Sequence, residues 1–130
     1  MFNMPNNLFF VYGTLKVGGH FNKIVKEFLK SYQPAKLRGY VLYNFGSFPG
    51  IIKGKGVVDG ELHEYTNVDV IMSMIDRIEG YRADNEDDSL FLRREVEIEL
   101  SDTTNTVANV YIFNRVPFVE CKCKTGKWEI

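Results

Sequence analysis

Two stretches of this chain hold side chains whose types and spacing could do chemistry. The first is Leu8-Phe9-Phe10-Val11-Tyr12-Gly13-Thr14-Leu15-Lys16, followed by Gly18-Gly19 and Asn22. The second is Ile75-Asp76-Arg77-Ile78-Glu79-Gly80-Tyr81. In the first, the apolar, β-branched and aromatic run from Leu8 to Tyr12 has the character of a buried strand. Gly13 then lets the backbone turn through conformations closed to residues with a Cβ. Free backbone N–H groups and the Thr14 hydroxyl are expected to crowd together at the strand end, where they could grip a small anion such as a carboxylate. An ordinary strand followed by a glycine turn is the alternative.

In the second stretch Glu79 is the candidate proton carrier. It closes a helix just before Gly80, at the negative end of the macrodipole, where its charge is disfavoured. That field, with Ile78 and Tyr81 as neighbours, should raise its pKa. A carboxyl tuned upward accepts a proton readily and can return it near neutral pH. The competing reading is a surface glutamate in a capping turn.

Other chemistries fail on residue type or spacing. Gly13 and Gly18 have the separation of a phosphate-binding Walker loop, but Gly19 and His20 stand where Lys and Ser or Thr are required. The acidic run Asp84 to Asp88 lacks the central glycine and distal glutamate of a calcium loop, so a solvated turn is expected. His20 and His63 share no ligand spacing with other donors and are expected in a loop or on a strand surface. Ser47 has no nucleophile elbow around it. Cys121 and Cys123 are too close for a good disulfide and complete no zinc site, which suits a reducing compartment such as the cytoplasm.

These residues must be positioned by a chain of 130 residues, 45% hydrophobic and 14% aromatic, which is enough for one domain with a real core. A formal charge of −1 gives no reason to expect nucleic acid or an anionic membrane. No segment has the apolar length to span a bilayer, and Met1 to Asn7 lacks the features of a secretion signal. A helix is expected from Phe21 to Tyr32, stopped by Pro34. Strands are expected at 37–43 and 57–65 around a turn-rich stretch from Asn44 to Gly56, and again near 91–100 and 107–113. Between them the spacing of Ile71, Met74, Ile75 and Ile78 predicts a helix over 68–79, with Asn67 as N-cap and Gly80 as a left-handed C-cap. Strands outnumber helices, so the class is α+β with a mostly antiparallel sheet or small barrel.

Taken in order, Tyr12-Gly13-Thr14-Leu15-Lys16, then Gly60-Glu61-Leu62, then Asp76-Arg77-Ile78-Glu79-Gly80-Tyr81 resemble the γ-glutamylcyclotransferase-like family, which includes the γ-glutamylamine cyclotransferases and AIG2-like proteins. The resemblance runs from about residue 8 to residue 113. It implies a small, mixed, mostly antiparallel β-barrel flanked by helices. It implies that Tyr12, Gly13, Thr14 and Leu15 hold a small γ-glutamyl substrate and that Glu79 is the catalytic base and then acid. The products would be 5-oxoproline and a free amine or amino acid, with no metal, nucleotide or other cofactor required. Two positions depart from the family: Phe91 stands where a Tyr is common before x-Arg, and His63 where Tyr is frequent. The tail from about residue 114 carries no resemblance and could cover the barrel or reshape its mouth. A non-catalytic binding or regulatory module keeping the same pocket is the alternative function.

Overall fold

The computed structural model describes residues 5–129; the reading of Met1 to Met4 lies outside them. Strand β1 (Leu8–Val11) is followed by a tight loop, a single helical turn α1 (Asn22–Val25) and a 3₁₀ turn at Lys26–Phe28. The chain then enters a long hairpin, β2 (Leu29–Asn44) and β3 (Pro49–Tyr65), crosses helix α2 (Val68–Glu79), and returns through β4 (Phe91–Leu100) and β5 (Asn105–Phe113). The strands close into a barrel in the order β1-β3-β2-β4-β5. All pairings are antiparallel except β1 with β5, so the barrel is mixed. That parallel seam is short, registered by Phe9 opposite Asn109. The buried Asn109 amide reinforces it by donating to the Asn6 and Leu8 carbonyls at 2.7 and 3.1 Å.

β1 reads as a continuous apolar run because both of its faces are covered. Phe10 and Tyr12 point into the barrel with Leu37, Leu42, Val58, Ile98 and Val110. Phe9 and Val11 pack outside it against Ile71 and Ile75 of α2 and against Tyr111. The predicted helix 68–79 forms with those bounds, and Gly80 takes the left-handed cap at φ 68°. Asn67 does not cap through its side chain; it is itself left-handed, and its carbonyl accepts from Val70 and Ile71.

The helix expected over 21–32 is the main correction. Helical geometry ends at Phe28, Ile24 on its supposed buried face is 40% exposed, and Leu29 to Tyr32 are strand. The reason is tertiary: β3 needs a partner along its whole length, and β2 supplies it from Leu29 to Asn44. Pro34 does not stop a helix but sits inside β2, opposite Glu61. It is tolerated there because β2 meets β4 only at Ala35 and Lys36, which leaves the preceding stretch an edge on that side. The turn-rich stretch 44–56 likewise shrinks to a turn at 45–48. Gly54 and Gly56 serve a bulge instead: between Arg38 opposite Val57 and Tyr40 opposite Lys53, only Gly39 of β2, at φ 87°, faces three residues of β3.

Beyond Phe113 the tail folds back over the hairpin. Lys122 bridges Tyr43, Cys123 N–H donates to the Leu42 carbonyl at 2.9 Å, and Asp59 N–H donates to the Gly126 carbonyl at 2.7 Å. Cys121 and Cys123 are unpaired thiols. Among the described residues no helix is long and apolar enough to cross a membrane.

Candidate active site

At one end of the barrel a small hollow of about 30 Å³ is lined by Phe10, Val11, Tyr12, Gly13, Thr14, Leu15, Phe48, Pro49, Glu79 and Tyr111. It thus joins all five residues singled out in the sequence, from two segments more than sixty positions apart. The first wall is the loop after β1. Its carbonyls are consumed by the loop itself: Gly13 accepts from Lys16 N–H, Thr14 from Phe21 N–H, and Leu15 from the Asn22 side-chain amide. The N–H groups of Thr14 and Leu15 find no backbone acceptor among the described residues. With the carbonyls engaged elsewhere, this strand end is a cluster of donors, the arrangement that suits an anion.

Gly13 is needed for space, not for an unusual turn. Its φ is not in the left-handed region, contrary to the sequence expectation. A Cβ built there would lie 2.5 Å from Pro49 Cγ and 2.7 Å from Pro49 Cδ. The left-handed glycine of this loop is Gly18, at φ 90°. Gly19 is pressed so closely on Thr14 that a Cβ would come 2.4 Å from the Thr14 carbonyl oxygen.

Glu79 forms the opposite wall. Residues 71, 75 and 79 follow one another at helical spacing, so Glu79 continues the row begun by the fully buried Ile71 and Ile75. That 71-75-79 row was a signal in the sequence for an inward-facing carboxyl. Glu79 is half-buried and lines the hollow, and among the described residues no ion pair or hydrogen bond engages its carboxyl. Burial pushes its pKa from 4.5 to about 7. Such a group is half ionised near neutrality and can both accept and return a proton.

Behind this wall two tyrosines set the geometry. Tyr12 O–H donates to the Tyr111 carbonyl at 2.6 Å, and Tyr111 O–H donates to Asp76 Oδ1 at 2.5 Å. Burial raises both phenols well above their usual pKa, and the Glu79 charge adds to each shift. Both therefore stay protonated hydrogen-bond donors. Asp76 also receives two contacts from Arg93, whose guanidinium lies 5.2 Å from the Tyr81 ring centroid. Sequence reasoning quoted Asp76 and Arg93 in motifs without recognising that they meet.

His63 is not a surface residue. It is fully buried, with Nδ1 2.8 Å from the Tyr65 hydroxyl and Nε2 2.9 Å from Glu61 Oε1. Both ring nitrogens are satisfied, which is what makes its burial tolerable. Glu61 also accepts from Val17 N–H at 3.0 Å, so the chain Tyr65-His63-Glu61 supports the loop from outside the hollow. Phe91, where a tyrosine was expected, is buried edge-on against Phe48 and Phe113. The acidic turn is not purely solvated: Glu86 accepts from Arg94 and from the Tyr81 hydroxyl.

The family model described as γ-glutamyl cyclotransferase, AIG2-like, matches residues 9–129. The chain belongs to that family. The match extends through the tail, beyond the span of the motif resemblance. A curated relative from Niallia circulans, named γ-L-glutamyl-butirosin B γ-glutamyl cyclotransferase, is 29% identical over 124 residues, covering 95% of this chain and 76% of the relative. Among solved structures, a mouse AIG2-like protein superposes with a TM-score of 0.72 at 18% identity, covering 95% of this chain and 88% of its own. An Arabidopsis thaliana protein gives 0.70 at 20% identity, covering 96% and 79%. These two share the fold. Family membership makes this γ-glutamyl cyclotransferase-like chain an enzyme of cyclotransferase type.

Proposed function

We propose that the chain converts a γ-glutamyl amine or γ-glutamyl amino acid to 5-oxoproline and a free amine, with Glu79 carrying the proton. The observation that carries this reading is an unpaired carboxyl with a pKa of about 7 facing the same hollow as the donor loop. In the proposed complex the Thr14 and Leu15 N–H groups and the Thr14 hydroxyl hold the substrate's α-carboxylate, while Tyr12 and Gly13 shape the wall beside it. The α-ammonium then lies toward Glu79.

Ionised Glu79 takes a proton from the α-ammonium. The freed amine attacks the γ-carbonyl carbon of the same molecule, forming the C–N bond of a five-membered lactam. As the tetrahedral centre collapses, the original amide C–N bond breaks and protonated Glu79 gives its proton to the departing nitrogen; ionised again, Glu79 takes the second proton from the ring nitrogen and passes it to the freed amine. Over the cycle the α-nitrogen loses two protons and the departing amine gains two, so Glu79 ends as it began. No enzyme nucleophile is needed, because nucleophile and electrophile are already joined. Holding them in a folded conformer can contribute roughly 7–11 kcal/mol.

The test is release of 5-oxoproline by purified protein from a panel of γ-glutamyl amines, γ-glutamyl amino acids and γ-L-glutamyl-butirosin B. Turnover by the wild type and its loss in Glu79→Gln support the reading. Binding of 5-oxoproline without turnover of any member would instead favour the binding module.

A further inference from the structure

The tail packs against the back of the active-site loop, and one residue there, Trp128, touches both that loop and the β2–β3 turn. The Trp128 carbonyl accepts from Lys16 Nζ at 2.8 Å, and Lys16 directly follows Leu15. Lys16 is 5% exposed, so this contact is not a passing surface encounter. On the other side, Trp128 Nε1–H donates to Asn44 Oδ1 at 3.3 Å. The same Asn44 oxygen accepts from Gly46 N–H at 2.9 Å and so braces the turn that leads into Phe48 and Pro49. Between the two, the indole approaches Gly13: its Cε3 is 3.9 Å from the point a Gly13 Cβ would occupy, with Pro49 against the same point. Trp128 does not hang free. Gly126 is seated so tightly on β3 that a Cβ there would come 1.9 Å from the Val57 carbonyl oxygen.

We propose that Trp128 is a positioning residue that ties the loop after β1 to the β2–β3 turn and so holds Gly13 against Pro49 at the rim of the hollow. The inference rests on the cyclotransferase reading for its kinetic consequence, though not for the tie itself. Trp128 touches no reacting atom. Its indole packs beside Gly13 of the donor loop and holds Asn44 of the β2–β3 turn, while its backbone carbonyl holds Lys16. Loosening both walls weakens the grip on substrate in ground and transition state alike, which raises KM more than it lowers kcat.

The experiment compares full-length wild type, Trp128→Ala, Trp128→Phe and Asn44→Ala by steady-state release of 5-oxoproline and by amide hydrogen exchange. For Trp128→Ala, KM should rise about tenfold with kcat within about threefold. Exchange should quicken at both 12–19 and 44–50. Trp128→Phe keeps a ring against Gly13 and should recover most of the KM; Asn44→Ala should quicken exchange at 44–50. Unchanged KM and unchanged exchange at both segments in a folded Trp128→Ala protein would overturn the proposal, as would a fall in kcat and thermal stability with KM untouched. Should Trp128→Ala not fold, the Phe and Asn44 variants decide by the same readouts: wild-type KM and exchange in both would overturn it. If the wild type releases no 5-oxoproline from any substrate, the cyclotransferase reading fails instead, and exchange at the two segments still decides the tie.

Discussion

Arg93 Nη1 lies 2.9 and 2.7 Å from the two carboxylate oxygens of Asp76, one helical turn before Glu79. The Tyr111 hydroxyl adds a third contact to the same carboxylate, and Tyr111 in turn receives the Tyr12 hydroxyl through its carbonyl. The last turn of α2 is therefore fastened to β4, β5 and the start of the donor loop at once. A carboxyl meant to reach one spot in a hollow needs such fastening, since helix ends otherwise fray.

Replacing Arg93 with Met should leave the Asp76 carboxylate, mostly removed from water, without its cation. A loss of about 2–3 kcal/mol in urea unfolding is expected. With the turn loosened, kcat should fall about tenfold. Asp76→Asn combined with Arg93→Met should regain most of the stability, because no unpaired charge remains, but not the kcat. Equal stability of the single and double variants would show that the pair does not matter to the fold.

Glu79→Gln should fold normally and lose about 10²–10⁴ of kcat, because an amide cannot accept the proton. It should also change stability with a defined sign. The folded-state pKa of Glu79 is raised to about 7, so the stability its neutral form contributes is present below about pH 4.5 and lost as pH rises through 7. The Gln variant keeps a neutral group throughout. Relative to wild type it should therefore be unchanged near pH 4.5 and more stable by about 2–3 kcal/mol above pH 8. Thermal or urea unfolding at the two pH values checks this; a variant less stable at high pH would contradict a desolvated, unpaired carboxyl.

The same raised value fixes the direction of the activity profile. Ionised Glu79 starts the proposed reaction, so kcat/KM should climb as pH rises through about 7 and then level. An acid limb near 4.5 would mean that the carboxyl is solvated in the free enzyme.

What was legible in the sequence was what depends on short-range pattern. The spacing of Ile71, Met74, Ile75 and Ile78 with Gly80 gave α2 to the residue, and the strands expected near 91–100 and 57–65 form as β4 and the later part of β3. The segment 21–32 was misread because its local pattern fits a helix, while the partner that draws Leu29 to Tyr32 into a strand lies thirty residues on, at His63 to Tyr65. Pro34 misled for the same reason: it breaks helices but is tolerated on an edge. At the site, Glu79 and Tyr12 to Leu15 were visible because helix end and strand end have sequence signals of their own. Trp128, Asn44 and the Asp76–Arg93 pair carry no such signal; they matter only through where the barrel brings them. His63 was placed outside because a polar residue without sequence-local partners looks solvated, and its partners Glu61 and Tyr65 lie on the same strand face two residues either side.

Gly13→Ala separates two reasons for a glycine at the mouth of the hollow. The backbone there is open to any residue, so no conformational strain should arise. The added methyl would instead meet Pro49 Cγ at 2.5 Å and push the β2–β3 turn away from the donor loop. Overpacking of this kind costs about 1–3 kcal/mol, and at least a tenfold drop in kcat/KM should accompany it as the two walls move apart. Pairing the change with Pro49→Ala removes Cγ and Cδ, the atoms in conflict. That double variant should recover at least half of the lost stability and part of the turnover. If it recovers neither, the demand at residue 13 is on backbone freedom after all, and the steric account of this wall is wrong.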